Sequence, residues 1–340
     1  MTGSLPGEFV ELLAMVRGYQ PSRAVTVAAE LGVADLLRDG PRGVDDLAAV
    51  TSTDAPALYR LLRALAALGV FTELPDRRFA LSAMGEFLRR DHPLSVDPAA
   101  RMFGADYQWQ AWGALRHSVD TGSTAAVHAL GMDVWEYRRR HPEHGDVFDA
   151  TMRTLSSGDN PGLLAAHDFE RYQLIADVGG GTGAVLAAVL AAHPDLRGIL
   201  FDQAHVVANA DGVLRAAGVA DRATVVAGDF FDGVPAGADA YLLVRILHDW
   251  QDDEALRILR TVCAAMTPDA RLIVVDSVLG PPNEDPLAKF LDLMMLVSAG
   301  GRERTHAEWR ALLAEAGLEI VDVRRATPTR HVIEARRVGA

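Results

Sequence analysis

The chain holds one cysteine, Cys263, and one lysine, Lys289. A lone thiol permits neither an intrachain disulfide nor a multi-cysteine zinc site. A lone lysine, set in PLAKFLD, rules out the phosphate-loop signature GxxxxGK[ST] and disfavours Schiff-base chemistry. No apolar run approaches the ~20 residues of a membrane span. The opening MTGSLPGEFVELLAMV carries Glu8 and Glu11 where a secretory leader needs positive charge, so the cytoplasm is the expected location. Basic residues are also in deficit, 33 against 46 acidic, for a formal charge of -13. That balance argues against a nucleic-acid or anionic-membrane partner, either of which needs clustered Lys and Arg.

What is present suffices for a large core: 340 residues, 49% of them hydrophobic, a length that suggests more than one domain. Residues 21 to 90 read as a helical module. PSRAVTVAAELGVADLL and TDAPALYRLLRALAALG have apolar residues at helical spacing, the second with Leu58, Leu61, Leu62, Leu65 and Leu68 on one face and Gly69 as its stop. VFTELPDRRFALS then reads as a hairpin turning at PDRR, and helices followed by a hairpin suggest a winged-helix-like module over residues 1–100. Residues 101–172 read as connecting helices, rich in Trp109, Trp112, Trp135 and Tyr137. From 173 to 340 the pattern changes to strands alternating with helices. LIADVG, GILFDQ, ATVVAGD, DAYLLVR and RLIVVDSV are the runs of a doubly wound, Rossmann-like α/β sheet. LEIVDVRRA and HVIEARR, separated only by TPTR, should close it with an antiparallel hairpin at one edge.

The first of these strands ends in IADVGGGTGAV, which fits GxGxxG/A through Gly179, Gly181 and Ala184. A nicotinamide dinucleotide is one reading, but its pyrophosphate would face Asp177. S-adenosylmethionine carries a sulfonium and an ammonium and no phosphate, and carboxylates suit it. Two further acids stand at the next strand ends. Asp202 is placed to hold a ribose diol, and Asp229 in AGDFFD to accept from an adenine amine while Phe230 packs on the ring.

DVGGGTG, FDQAHVV, GDFF, LHDWQDDEALRIL and GGRERTHAEW, in this order and spacing, resemble the S-adenosylmethionine-dependent O-methyltransferases of the plant caffeate type and their bacterial antibiotic-pathway relatives. The resemblance covers nearly the whole chain. It implies that the N-terminal module is a dimerisation domain whose helices are exchanged across a two-fold axis, and that residues 101–172 cover the substrate pocket. It implies His248 as the general base that takes the proton from a phenolic acceptor, with Asp276 and Glu303 orienting the imidazole. Asp249, Phe148, Met152, Leu291, Met294 and Met295 are implied to line the pocket for an aromatic small molecule. No metal is required. Trp250 packs on the adenine or closes its strand-to-helix joint.

Each assignment has a plainer alternative: a structural histidine at 248, ordinary core methionines, and a Glu303 that is an exposed turn carboxylate paired with Arg302 or Arg304. A phenol near 10 and a histidine near 6.5 differ by ~3.5 units, so full proton transfer to an unaided imidazole costs about 5 kcal/mol. Val244 stands where many members of the family carry a polar residue. Competing readings are a ligand-sensing winged-helix regulator, an NAD-dependent oxidoreductase, and a member diverged to N-methylation, decarboxylation or hydroxylation. The candidate recognition helix has only Arg60 and Arg63 against Asp54, little positive charge for a DNA groove.

Overall fold

A computed structural model describes residues 5–339; the first four residues of the opening stretch and the last residue of the chain lie outside it. The chain divides into two compact units, residues 1–109 with 142–154, and residues 110–141 with 155–340. This partition differs from one cut at residues 100 and 172, because the segment read as connecting helices is shared between both units. Among the described residues no helix is long and apolar enough to cross a membrane.

In the first unit, helices Tyr19–Glu30, Val33–Leu36, Val44–Thr51 and Ala55–Ala67 precede the hairpin Phe71–Leu74 and Arg78–Leu81. The hairpin turns through Asp76 and Arg77, both at positive φ, as PDRR foretells. Its second strand also pairs with Arg42–Gly43. Asp54 caps Ala55–Ala67 by accepting from the Ala57 N–H at 2.8 Å. Leu58, Leu62 and Leu65 are buried in this unit's core. Leu61 is only half-buried, and Leu68, one residue past the helix end, is exposed. Helix Gly7–Val16 buries none of its residues and leaves a run of apolar side chains open.

The second unit holds a seven-stranded sheet, whose strands we number β1 (Leu174–Val178), β2 (Arg197–Asp202), β3 (Ala223–Ala227), β4 (Ala240–Val244), β5 (Arg271–Asp276), β6 (Leu318–Arg325) and β7 (His331–Arg337). Their order is β3-β2-β1-β4-β5-β7-β6. The first five are parallel, while β7 runs antiparallel to β5 and β6 antiparallel to β7. The expected edge hairpin is therefore present. Central strands are buried on both faces, as Ile175–Val178 and Leu272–Val275 show, whereas edge strand β3 leaves Val225 exposed. Strand order reverses between β1 and β4, so the crevice that takes ligands in such sheets opens at their C-terminal ends. The glycine loop leaves one of these ends and the His248 segment the other.

Candidate active site

The loop after β1 turns through Gly179 and Gly181 at φ 71° and 61°. A side chain at Gly179 would also meet Ile246, whose Cδ1 lies 2.4 Å from a Cβ built there, so the loop packs directly on the segment leading to His248. Asp202, at the end of β2, clamps the loop: its Oδ2 accepts from the Gly181 N–H at 2.8 Å and its Oδ1 from the Gln203 N–H at 2.6 Å. Burial raises its pKa. Asp229 is exposed, and its Oδ1 accepts from the Phe231 N–H at 2.9 Å. Phe230 and Phe231 stand edge-on to Trp250 with centroids 6.0 and 4.8 Å away, so Trp250 joins the aromatic cluster at the joint after β4.

Asp177 departs from its expected place. It is not an open carboxylate at the mouth of the loop but is fully buried at the end of β1, with neither oxygen in hydrogen-bonding geometry to a donor. Burial, with the nearby charge of Asp202, pushes it up to about 7, against a weak favourable dipole from the Leu186 backbone. The cause is packing: an acid that ends a central strand lies under the loop, not beside it.

Beyond β4, Arg245 takes a positive φ of 57° and the chain enters a tight turn, Leu247–Asp249. His248 is 5% exposed. Its Nδ1 donates to Glu303 Oε1 at 2.7 Å and lies 3.6 Å from Asp276 Oδ1, while its Nε2 is 3.6 Å from Asp249 Oδ1. Asp276 ends β5, is completely buried, and has no hydrogen-bond partner for either oxygen. Glu303 is 1% exposed, so the reading of an exposed turn acid paired with Arg302 or Arg304 is overturned. It is fixed by its own backbone N–H, which donates to Asp292 Oδ1 at 2.8 Å, and by the following Arg304–Thr305, which pairs in parallel with Val278–Leu279 just past Asp276. Thr305 then caps helix His306–Glu315 through a capping box with Glu308.

Burial disfavours the charged form of all these groups, but they compensate one another. Asp276, Glu303 and Asp249 outweigh the desolvation of His248 and push its imidazole up to about 9. Burial raises Asp276 to about 6 despite the attraction of His248, and burial also raises Asp249. Glu303 ends below the ordinary carboxylate value, because its contact with His248, with Arg330 and Arg304 nearby, outweighs burial. Ligand atoms of His248, Asp276 and Glu303 lie within 4.8 Å of one another. Arg245 and Arg330, with the imidazolium, already counter the three carboxylates, which leaves little charge for a cation to neutralise.

Sequence reasoning missed the groups that hold this turn. Arg304 is fully buried, donating to the carbonyls of Leu247 and Trp250 at 2.9 Å each and from Nε to Asp252 at 2.9 Å, with its guanidinium over the Trp309 ring. Gly301 lies against the same turn: a Cβ there would be 2.0 Å from the His248 carbonyl oxygen. The glycine pair in GGRERT was the available signal. Of the expected pocket residues, Asp249 joins His248, and Leu291, Met294 and Met295 lie on helix Pro286–Val297 in the same unit, Met295 buried. Phe148 and Met152 lie on helix Pro142–Ala166, in the part that belongs to the first unit.

Residues 112–319 match the family model of an O-methyltransferase domain, and residues 13–91 that of an O-methyltransferase dimerisation domain. A phenazine O-methyltransferase of Lysobacter antibioticus is 40% identical over 326 residues, covering 96% of this chain and 95% of its own. An 8-amino-8-demethylriboflavin N,N-dimethyltransferase of Streptomyces davaonensis is also 40% identical, over 97% of this chain and 98% of its own. Among solved structures, an O-methyltransferase from neocarzinostatin biosynthesis, in complex with S-adenosylmethionine and 2-hydroxy-5-methyl naphthoic acid, superposes with a TM-score of 0.80 at 33% identity, over 93% of this chain and 96% of that one. The chain belongs to the S-adenosylmethionine-dependent O-methyltransferases, with that family's dimerisation domain ahead of its catalytic domain.

Proposed function

We propose that this enzyme methylates a phenolic hydroxyl on an aromatic small molecule of secondary metabolism, as a homodimer, with His248 as general base. The observation that carries the reading is the buried Nδ1 to Glu303 bond of 2.7 Å, set beside the glycine loop. Because Nδ1–H is committed to a carboxylate, the neutral ring presents its Nε2 lone pair to an acceptor hydroxyl. S-adenosylmethionine supplies an electrophilic methyl on a cationic sulfur. Asp202 and Asp229 suit that cofactor as acceptors at successive strand ends, Gly179 and Gly181 let the backbone approach it, and Phe230 offers a ring face, with Asp177 beneath the loop. Asp249, Leu291, Met294 and Met295 are the proposed lining for a flat ring within the second unit.

The carboxylates explain how an imidazole competes for a phenol proton. At about 9, His248 stands roughly one unit below a phenol, so the ~5 kcal/mol gap of an unaided histidine shrinks to about 1.4. Incubation with labelled S-adenosylmethionine and a panel of phenols and aryl amines, with mass detection of the methylated product, tests the reading. His248→Ala should retain cofactor affinity and lose about a hundred- to ten-thousandfold in rate on phenols, regaining some at high pH. Near-parental turnover at pH 7 contradicts base catalysis. The N,N-dimethyltransferase relative favours the second reading, an amine acceptor; methylated amines formed without dependence on His248 would establish it. For the dimer, helix Gly7–Val16 supplies an apolar surface with no cover of its own. Light scattering at micromolar concentration should give twice the chain mass, and a monomer removes the assignment.

A further inference from the structure

The turn between β6 and β7 is a short polar segment of the kind that ordinarily stays in water, yet Arg330 within it is 7% exposed. The turn is rigid. The backbone N–H groups of Ala326 and Thr327 donate to the Arg330 carbonyl, and the Arg330 N–H donates to Thr327 Oγ1 at 3.1 Å. A Cβ at Gly162 would fall 2.2 Å from the Ala326 carbonyl oxygen, so a helix backbone closes directly on the turn. The residue after Arg330, His331, pairs with Asp276 across β7 and β5.

From this anchorage the guanidinium points to the cluster around His248. Arg330 Nη1 lies 3.8 Å from Glu303 Oε1, the same oxygen that accepts from His248, and donates to Ser277 Oγ at 3.3 Å. Ser277 is itself held at both ends: its Oγ donates to the Thr329 carbonyl at 2.8 Å, and its carbonyl accepts from Trp309 Nε1 at 2.9 Å. A buried guanidinium is costly unless it meets a counter-charge, and here the counter-charge is Glu303.

We propose that Arg330 is a positioning residue for methyl transfer: it shares the Glu303 carboxylate with His248 and so fixes both the orientation and the proton affinity of the imidazole. The inference rests on the reading of His248 as base. Asp249 faces the ring from its own turn, Asp276 from β5 and Glu303 from the segment before Thr305, while Arg245 acts on Asp276 and Asp249, and Arg304 on Glu303. Farther out, Arg138 acts on Asp249, Asp159 pairs with Arg245, and Asp292 holds the Glu303 backbone. Arg304 is committed to Asp252 and the turn carbonyls, and Arg245 to Ser156 at 2.7 Å. Arg330 is the cation whose guanidinium stands 3.8 Å from the oxygen that binds the imidazole. Without it, Glu303 acts on the imidazolium undiluted, and His248 keeps its proton to higher pH.

The test is an NMR titration of the imidazoles in the intact protein, with the His248 resonance identified by its loss in His248→Ala. Arg330→Gln should raise the His248 midpoint by about one unit, and Arg330→Lys should restore most of the shift. Turnover at pH 7 should fall about tenfold in the Gln variant with cofactor affinity unchanged. A purely architectural arginine would lower the melting temperature without moving the midpoint, and an unmoved midpoint overturns the proposal. Should Arg330→Gln fail to fold, Ser277→Ala decides: it keeps the charge but loosens its anchor, and should raise the midpoint by a smaller amount, no movement again overturning it. Failure of the base reading is separately visible. His248→Ala with parental turnover overturns base and positioning together, whereas an inactive His248→Ala alongside an unmoved His248 midpoint in Arg330→Gln overturns the part given to Arg330 alone.

Discussion

His248 gains basicity from the buried Asp276 and Glu303 and the partly buried Asp249, and the same gain fills its lone pair with a proton. A group at about 9 is neutral in only about one molecule in a hundred at pH 7. Since the neutral form is the base, turnover should climb with pH and level off as His248 deprotonates near 9, a profile that steady-state assays across pH 6 to 10 can follow. A cationic sulfonium brought into the same crevice opposes the imidazolium, so S-adenosylmethionine should release part of a proton on binding. S-adenosylhomocysteine, whose sulfur is neutral, should release less. Calorimetric titrations in two buffers of different ionisation enthalpy measure this, and equal release by both ligands would contradict it. Asp202 makes a different kind of contribution. Asp202→Ala removes a ribose acceptor together with the clamp on Gly181. At about 1.5 to 3 kcal/mol for charge-assisted bonds, the dissociation constant for the cofactor should rise at least tenfold, and an unchanged constant would remove the assignment.

The turn bearing His248 is held from outside by Gly301 and Arg304. A methyl at residue 301 would lie 2.0 Å from the His248 carbonyl oxygen and 2.3 Å from the Asp249 carbonyl carbon, both backbone atoms that cannot rotate away. Gly301→Ala should therefore cost about tenfold or more in turnover, as displaced catalytic groups do, while cofactor binding persists. Equal rates would show that the turn tolerates the shift. Much of this element was legible in advance. Acids at three successive strand ends, and HDW after the fourth, can be read because buried parallel strands are unbroken apolar runs whose ends are abrupt. Glu303 was named through family resemblance, but Arg304 and Arg330 were not, because a charged residue in a polar stretch reads as surface until tertiary packing closes over it. The same blindness put Asp177 at the mouth of its loop. It also set Leu58, Leu61, Leu62, Leu65 and Leu68 on one face, where the structure buries Leu58, Leu62 and Leu65, half-buries Leu61 and exposes Leu68.

Across the whole molecule, burial pushes His167 down to about 4 and Arg245 down to about 10, whereas Asp177, Asp276 and His248 shift the other way. Asp177 at about 7, Asp276 at about 6 and His248 at about 9 each hold a proton in the folded chain that the unfolded chain has given up. The contribution of His248 is complete below its unfolded value near 6.5 and is lost as pH rises through 9; those of Asp177 and Asp276 are lost between about 4 and 7. The cofactor-free protein should thus melt at a lower temperature at pH 9 than at pH 6, and a rise over that interval would mean that these three groups do not dominate. Helix Gly7–Val16 obeys another law. It has 10 residues and buries none of them, whereas isolated helices shorter than about 12 to 15 residues are marginal in water. Phe9, Leu12 and Met15 are among its exposed residues. Its helicity is then borrowed from whatever covers it, and becomes a property of concentration instead of sequence. Amide hydrogen exchange over these residues should accelerate on dilution while the central strands of the second unit keep their protection, making the start of the chain a built-in gauge of how much of the enzyme is paired.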